Sequence, residues 1–537
     1  MPCSPRRRSS GGCGTGQAPA VRSPGDAGYA VCPGALSRVV STTDPMNEAT
    51  RNRCYVVAAA VIYVITALCS IGFYHPDEHF QIIEFAGLAA GWNSGADLPW
   101  EYAAHIRPTM QPMLCLGVFR LLGLAGLTDP YTLATALNVL TALVAVGAIT
   151  LFVRAFRNDV APAYREVFVL LSYFLWFLPV LNVRFSSECW AGLAFLSAVA
   201  VLYRAQGRPA GRLLLGGVLL GLAFVFRAQI GGAIVGLQMW LVWVRRESLR
   251  RMAFVVSGMG LSVLSGLAVD RWFYGEWILT QFNYLKVNLI DGVASQFGTD
   301  PWHYYLGEVI ARPNPLVGLS ILVAFAFLLL YRPRHVVVWC VLPFLLLHSL
   351  IGHKEFRFLF PIVNLVPLIL VLGYQQIREV FRPRRLRALS VVMVLLLAIN
   401  AGGLAMVVFK PVREGRVAMA RYIDHTYGEQ SLTLCSAPDC NPYELQGGPG
   451  KRPLVTHFYL NPHIHVDSLG RAFAPPAGHG RLKALVRKGD LADRERLERS
   501  GFVEEHQSIP EWIEVLNVFY RVIDDRQIMV LYTRPEA

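Results

Sequence analysis

The chain has 537 residues, 54% of them hydrophobic and only 16% charged. Soluble domains carry about 25% charged residues, so a string of soluble domains is excluded and most of the length belongs in a bilayer. The formal net charge of +13 sits in short clusters between apolar runs, not on one polar face. That pattern orients membrane spans and argues against nucleic-acid binding.

Residues 1–53 are rich in Ser, Gly, Pro and Arg, lack apolar periodicity and read as a disordered cytosolic tail. Met46 is an alternative start, and the first apolar run lacks the small-residue exit of a cleavable signal peptide. Apolar stretches follow at 54–73, 130–153, 166–183, 187–203, 213–226, 228–244, 252–272, 314–331, 335–352, 357–376 and 388–408. Several reach the ~18 residues that mark a spanning helix. Arg227 splits the long run 213–244, and basic clusters on both sides of that run demand an even number of crossings, so two short helices are expected there. The basic connectors 154–165, 204–212, 245–251, 332–335 and 378–387 are expected in the cytosol. All of them fall on one side only if 111–128 lies along the outer interface instead of crossing. The reading is therefore an α-helical polytopic membrane protein of about eleven spans. Its membrane domain covers 54–408 with a large first outer loop at 74–129, and a small α/β-like extramembrane domain occupies 409–537.

This topology puts the distinctive polar residues on one side. In YHPDEHFQIIEFA (74–86), Pro76 ends a helix and sets Asp77 and Glu78 at the interface. Low-dielectric surroundings raise a carboxylate's proton affinity, which suits a general base; acidic residues are also common at helix N-termini for dipole reasons alone. The stretch QFNYLKVNLIDGVASQFGTDPWHYY (281–305) offers Asn283, Lys286, Trp302 and His303 for a sugar or phosphate head group, or an ordinary aromatic belt. GHKEFRFLFPI (352–362) packs His353, Lys354, Glu355 and Arg357 into one outward turn. One snorkelling cation at a span end is usual, but four ionisable residues within five are not. Lys354 and Arg357 could clamp a phosphate while Glu355 orients them.

Together HPDE, FNYLKVN…GTDPWHYY and HKEFRFLFP resemble the lipid-linked mannosyltransferases of the GT-C fold. The resemblance is strongest to the α-1,2 branch that includes the GPI mannosyltransferase III enzymes. IRPTMQP (106–112) looks like the family's Arg-containing first-loop segment, RFSSE (184–188) is a weaker match, and the likeness fades beyond residue 410. The resemblance implies an inverting transfer from dolichol-phosphate mannose to a lipid-linked glycan, giving an α-1,2 mannoside, with the third mannose of the GPI precursor as the product of choice. It makes Asp77 the base and Glu78 its helper or orienter. It gives substrate-binding roles to His75, Arg107, Arg184, Glu188, Asn283, Lys286, Trp302, His303, His353, Lys354, Glu355 and Arg357. It implies the endoplasmic reticulum membrane with a lumenal site.

The chain holds no D-x-D pair of the kind that binds a metal for a nucleotide-sugar donor, and neither metal nor cofactor is expected. Cys54, Cys69, Cys115, Cys189 and Cys340 read as core residues. Cys435 and Cys440 are close enough in sequence for a disulfide in an oxidising lumen. His463 and His465 lack metal partners and read as surface residues. The rival class is a secondary transporter, which would place ionisable groups at the midplane in paired repeats; the spans here carry almost no charge except Arg227 and show no repeat. An N-glycan-type mannosyltransferase of the same fold is the alternative within the enzyme class.

Overall fold

The computed structural model describes residues 48–205, 207, 209–381, 386–446, 452–473 and 481–535. The expected tail lies outside the described residues up to 47, as do positions 206 and 208 of one basic connector and 382–385 of another. Residues 1–51 and 52–537 are separate units. In the first, the described residues 48–51 are helical; the elements that form the membrane part and the C-terminal domain belong to the second.

Every apolar stretch expected to cross is helical, but the helices differ in reach. Among the described residues, five helices are long and apolar enough to cross a bilayer: Thr50–Cys69, Pro130–Asp159, Leu249–Tyr274, Phe356–Val380 and Val391–Phe409. Pro315–Tyr331 and Val336–Leu350 pass only as a pair, bent by 116° at the RPRH connector. Ser187–Tyr203, Ala210–Phe226 and Ala228–Val244 are shorter, as is Met110–Leu124. The chain is a multi-pass membrane protein, with five or six spans by this measure where the sequence suggested about eleven.

Local chemistry explains the breaks. Asp129 caps the helix that starts at Pro130, its Oδ2 accepting from the Thr132 N–H at 2.8 Å. The stretch 166–183 is two pieces, Arg165–Phe174 and Leu178–Asn182, because Leu175 is extended and Pro179 sits in the first turn of the second. Asn400, from the last span, supplies the missing partners: it accepts from the Trp176 N–H at 2.8 Å and donates to the Phe174 carbonyl at 2.9 Å. Unpaired backbone groups cannot persist in hydrocarbon. The run 213–244 breaks at Arg227, which is extended (φ −154°, ψ 108°) and ends the helix Ala210–Phe226.

Close helix packing relies on small residues. A Cβ on Gly217 would lie 2.1 Å from the Val255 carbonyl oxygen, and one on Gly258 would lie 2.2 Å from that of Leu214. The helices 210–226 and 249–274 therefore touch backbone to backbone.

The last part of the chain is an α/β domain. Among the described residues its main sheet has five strands, β1 (Leu432–Ser436), β2 (Ile464–Ser468), β3 (Arg481–Arg487), β4 (Val503–Gln507) and β5 (Met529–Thr533), and Glu444–Leu445 pairs with Leu454–Val455 in a separate two-stranded sheet. The order in the main sheet is β2-β1-β3-β5-β4, with β1 parallel to β2 and β3, and β5 antiparallel to β3 and β4. Cys435 and Cys440 are both free and buried, which corrects the disulfide expectation. Strand alternation is the reason. Leu432 and Leu434 face the apolar cluster that also holds Cys440, whereas Cys435 points into the opposite cluster with Val486 and Leu497. The domain docks on the loop 74–129: Glu84 Oε1 accepts from the Phe458 N–H at 3.1 Å and sits 2.8 Å from His79 Nε2. The His79 ring stacks between Phe73 and Tyr459 at 5.4 and 5.2 Å.

Gly217→Val overpacks a backbone contact and should cost about 1–3 kcal/mol or more, read as a lower thermal midpoint of detergent-purified protein. Gly260→Ala, at a helical position with no neighbour within 4 Å of its Cβ, should leave that midpoint unchanged or raised.

Candidate active site

Three segments distant in sequence converge on one buried guanidinium. Arg357 Nη1 donates to Asp77 Oδ2 at 2.7 Å and to Glu188 Oε1 at 3.0 Å. Its Nε donates to Glu355 Oε2 at 2.6 Å and its Nη2 to Glu355 Oε1 at 3.0 Å. The planar fork of arginine reaches three carboxylates in fixed directions, which a lysine cannot do. Arg107 Nη2 lies 3.7 Å from Asp77 Oδ2 and 3.3 Å from Glu101 Oε1. Arg227 Nη1 lies 3.2 Å from Glu188 Oε1 and donates to Ser187 Oγ at 3.0 Å.

The local chain explains these positions. Pro76 does not end a helix as expected: the preceding helix stops at Cys69, and Pro76 opens a three-residue helix capped by His75, whose Nδ1 accepts from the Asp77 N–H at 3.2 Å. The other ring nitrogen, Nε2, lies 3.5 Å from Glu355 Oε2. Glu78 turns the other way. Its Oε2 accepts from the Tyr74 N–H at 3.0 Å and from Arg184 Nε and Nη2 at 3.0 and 2.8 Å. Arg184 also holds Ser70 and the Gly72 carbonyl. Glu78 and Arg184 thus fasten the loop behind Asp77 and do not meet Arg357. Arg107 is set by Thr109, whose N–H and Oγ both donate to Asp270 Oδ1 at 2.7 Å, and by Tyr274, whose hydroxyl donates to the Arg107 carbonyl at 2.8 Å.

Burial on its own would raise the proton affinity of Asp77. The Arg357 guanidinium, with help from His75 and Arg107, outweighs it and holds the carboxyl well below the usual range. The sequence expectation of a raised proton affinity is corrected on this point: burial was foreseeable, but the cation came from 280 residues away. Glu355 is lowered too: burial would raise it, but hydrogen bonds from His353 and Arg357 prevail. Glu101, where burial outweighs Arg107, is raised.

Beside Asp77 a pocket of about 40 Å³ is lined by Gln81, Arg107, Gln111, Arg227, Gln281 and Tyr284, among others. Both amide atoms of Gln111 are buried with no protein partner, leaving a donor and an acceptor for a bound molecule. Gln229 links Arg227 to Tyr284 through bonds of 2.6 and 2.8 Å. A larger cavity of about 790 Å³ opens nearby, lined mainly by apolar side chains and by Tyr74, Arg312, Lys410 and Arg521.

Several expected contributors sit elsewhere. Lys354 is buried with its ammonium donating to the Asp300, Ile351 and Gly352 carbonyls at 2.8, 2.5 and 3.3 Å. It staples two loops together. His353 contacts the Gly298 carbonyl at 3.1 Å and Glu355 Oε1 at 3.2 Å. Lys286 pairs with Asp291 at 3.3 Å on the surface, and Asn283 donates to the His105 carbonyl at 3.4 Å. Trp302 and His303 are exposed. The 281–305 loop reaches the pocket through Gln281 and Tyr284, one helical turn apart. Sequence reasoning missed those two, along with Gln81, Glu101 and Gln111. Arg227, the lone charge in an apolar run, was visible as an oddity without a partner.

Residues 54–426 match the Alg9-like mannosyltransferase family, and the chain belongs to that family. It is 30% identical over 340 residues to GPI mannosyltransferase 3 of Yarrowia lipolytica, covering 62% of this chain and 63% of that protein. It is 28% identical over 294 residues to GPI alpha-1,2-mannosyltransferase 3 of Bos taurus, covering 54% and 52%. The matches thus span between half and two thirds of those relatives' length. ArnT from Cupriavidus metallidurans bound to undecaprenyl phosphate aligns over 90% of this chain and 98% of that one, at 12% identity and a TM-score of 0.49; so slight a likeness carries no argument about the site.

Arg357→Met would leave three carboxylates facing one another and should cost about 3–5 kcal/mol, the penalty for breaking a buried pair. The readout is the thermal midpoint in detergent. Glu78→Ala, which leaves Arg184 without its carboxylate, should lower the midpoint on the same scale, while Lys286→Ala at the surface should not move it.

Proposed function

We propose that this chain is an inverting α-1,2-mannosyltransferase that moves mannose from dolichol-phosphate mannose to a lipid-linked glycan. Its product is the third mannose of the GPI anchor precursor, made at the lumenal face of the endoplasmic reticulum membrane. The observation that carries this reading is Asp77: an ionised carboxylate on the wall of a small polar pocket, beside an apolar cavity whose lining includes its near neighbour Tyr74. The names borne by the curated relatives support the choice of sugar, linkage and acceptor.

In this mechanism the acceptor hydroxyl attacks C1 of the mannosyl unit from the face opposite the phosphate. The C1–O bond breaks with its electron pair going to the phosphate, and the hydroxyl proton goes to Asp77. Holding Asp77 ionised costs basicity but keeps the carboxylate available at every physiological pH. Gln111 offers its unpaired amide to a sugar hydroxyl. The polyprenyl chain occupies the 790 Å³ cavity. Lys410 lines that cavity, and among the described residues its ammonium is held only by the Pro411 and Arg413 carbonyls, at 3.0 and 3.4 Å. Burial, only partly offset by Glu414, pushes it down to about 8. It meets a phosphate better than Arg357 or Lys354, whose donors are already engaged. Cations already lie against Asp77, Glu188 and Glu355, in the place a divalent ion would take.

Purified protein given dolichol-phosphate mannose and a GPI precursor bearing two mannoses should extend it by one α-1,2 mannose, and excess chelator should not stop it. Efficient use of GDP-mannose, complete loss on chelation, or transfer to an N-glycan-type acceptor instead would overturn the donor, the metal independence or the acceptor respectively.

Asp77→Asn should keep the fold and lose roughly 10²–10⁴ in rate; wild-type turnover by a well-folded variant would remove Asp77 from the mechanism. Because its proton affinity is depressed, Asp77 stays charged until the pH falls well below the ordinary aspartate range. Protonation of Asp77 should therefore not limit the rate between pH 5 and 8, and in Arg357→Met the acid limb should move to higher pH. Lys410 titrates the other way, losing its charge as pH rises through about 8. The KM for donor should climb there, and Lys410→Arg should flatten that rise.

A further inference from the structure

The C-terminal domain contains one helix that does not fit an aqueous surface. In Glu511–Tyr520, Trp512, Val515, Val518 and Phe519 are 46, 67, 66 and 73% exposed, and Val522 just beyond it is 39% exposed. They share one helical face. The opposite face carries the buried Ile513 and Asn517.

Its neighbour is the last membrane span. The Trp512 ring lies 6.1 Å from that of Phe409, at the end of the span, and the Tyr520 hydroxyl donates to the Ile399 carbonyl at 2.6 Å. A Cβ on Gly402 would sit 2.6 Å from the same hydroxyl. The helix therefore runs antiparallel to residues 399–409 of the span Val391–Phe409, a length of about 15 Å at 1.5 Å per residue. That is half of a hydrocarbon core about 30 Å thick.

The turn at its far end leaves few backbone groups needing water. Asn517 Oδ1 accepts from the Val522 and Ile523 N–H groups at 2.8 and 3.0 Å, and its Nδ2 donates to the Ile523 carbonyl at 2.8 Å. The Arg521 N–H donates to the Asn517 carbonyl at 2.7 Å. Such closure is what a chain reversal in lipid requires. Glu514, near the entry end, is neutralised by Lys488 at 2.8 Å. Arg521, at the turn, lines the 790 Å³ cavity, as do Val518, Phe519, Tyr520 and Val522; Asp524 and Arg526 follow it and are exposed.

We infer that Glu511–Tyr520 is a re-entrant membrane helix: it dips into the adjacent leaflet, with hydrocarbon as the partner of its exposed face, and forms the lipid-side wall of the large cavity. The domain is thus anchored in the bilayer by this helix as well as by its covalent link to the last span.

The test uses the full chain in open membranes, with Val515→Cys, Phe519→Cys and, as an aqueous reference in the same domain, Leu491→Cys, which replaces a residue 66% exposed on the helix Leu491–Arg499. A charged methanethiosulfonate should modify Leu491→Cys readily above the background of the unsubstituted chain. It should modify the other two on the order of 100-fold more slowly, the factor set by bringing a charge into hydrocarbon. A neutral nitroxide attached at each site gives a second reading that does not depend on slow labelling. At 515 and 519 oxygen should relax it more strongly than a water-soluble nickel complex, with the reverse at 491. Equal labelling rates at all three positions, or nickel dominance at 515 and 519, would overturn the inference.

Discussion

The buried guanidinium of Arg357 is the interaction on which the rest of the site depends. It bonds Asp77, Glu188 and Glu355, carried on the loop after the first span, the start of the helix Ser187–Tyr203 and its own turn. Without a central cation these carboxylates would repel one another in a low-dielectric setting and would protonate or separate. With it, three segments share one fixed point, and Asp77 is both ionised and aimed at a pocket. Such a cluster is a poor source of net stability, since desolvation consumes much of the Coulombic gain. Its merit is geometric: it fixes the position and direction of the Asp77 carboxylate at the pocket.

Around that point the molecule divides its charges by task. Arg184 with Glu78, Thr109 with Asp270, and Lys354 with three carbonyls fix loops. Arg107 and Arg227 line the pocket. Lys410 and Arg521 line the cavity, where no strong anion neutralises them at ion-pair distance among the described residues. A cation fully engaged by carboxylates or carbonyls stiffens the protein, and one held loosely can receive a ligand. By this criterion the sequence candidates Lys354 and Glu78 are positioning residues, and the groups that face open space are Gln111, Tyr284 and Lys410.

Two of the contacts between the C-terminal domain and the membrane part bear on the site. Stacking of His79 between Phe73 and Tyr459, with the Glu84 carboxylate beneath it, ties the domain to the loop that carries Asp77. The helix 511–520 ties it to the last span. Movement of the domain would therefore reach both Asp77 and the cavity wall.

How much of this was legible depends on the range of the forces involved. Apolar runs, basic connectors and helix-breaking prolines act over a few residues, so the sequence by itself determined the polytopic helical class, the helix that ends before HPDE, the break at Arg227 and the likeness to lipid-linked mannosyltransferases. It pointed to Asp77, Arg107, Glu355 and Arg357 because ionisable residues beside apolar spans are costly and need a reason. Their partners were not legible, since an ion pair spanning 280 residues leaves no mark on either segment alone. Hence the tertiary structure alone decided that Asp77 has a lowered and not a raised proton affinity, that Glu78 faces away from it, and that Lys354 serves the backbone. It also decided that Cys435 and Cys440 lie on opposite faces of a sheet, and that an amphipathic helix near the end of the chain lies along a span. Local pattern records what each segment prefers; only packing decides which preferences meet.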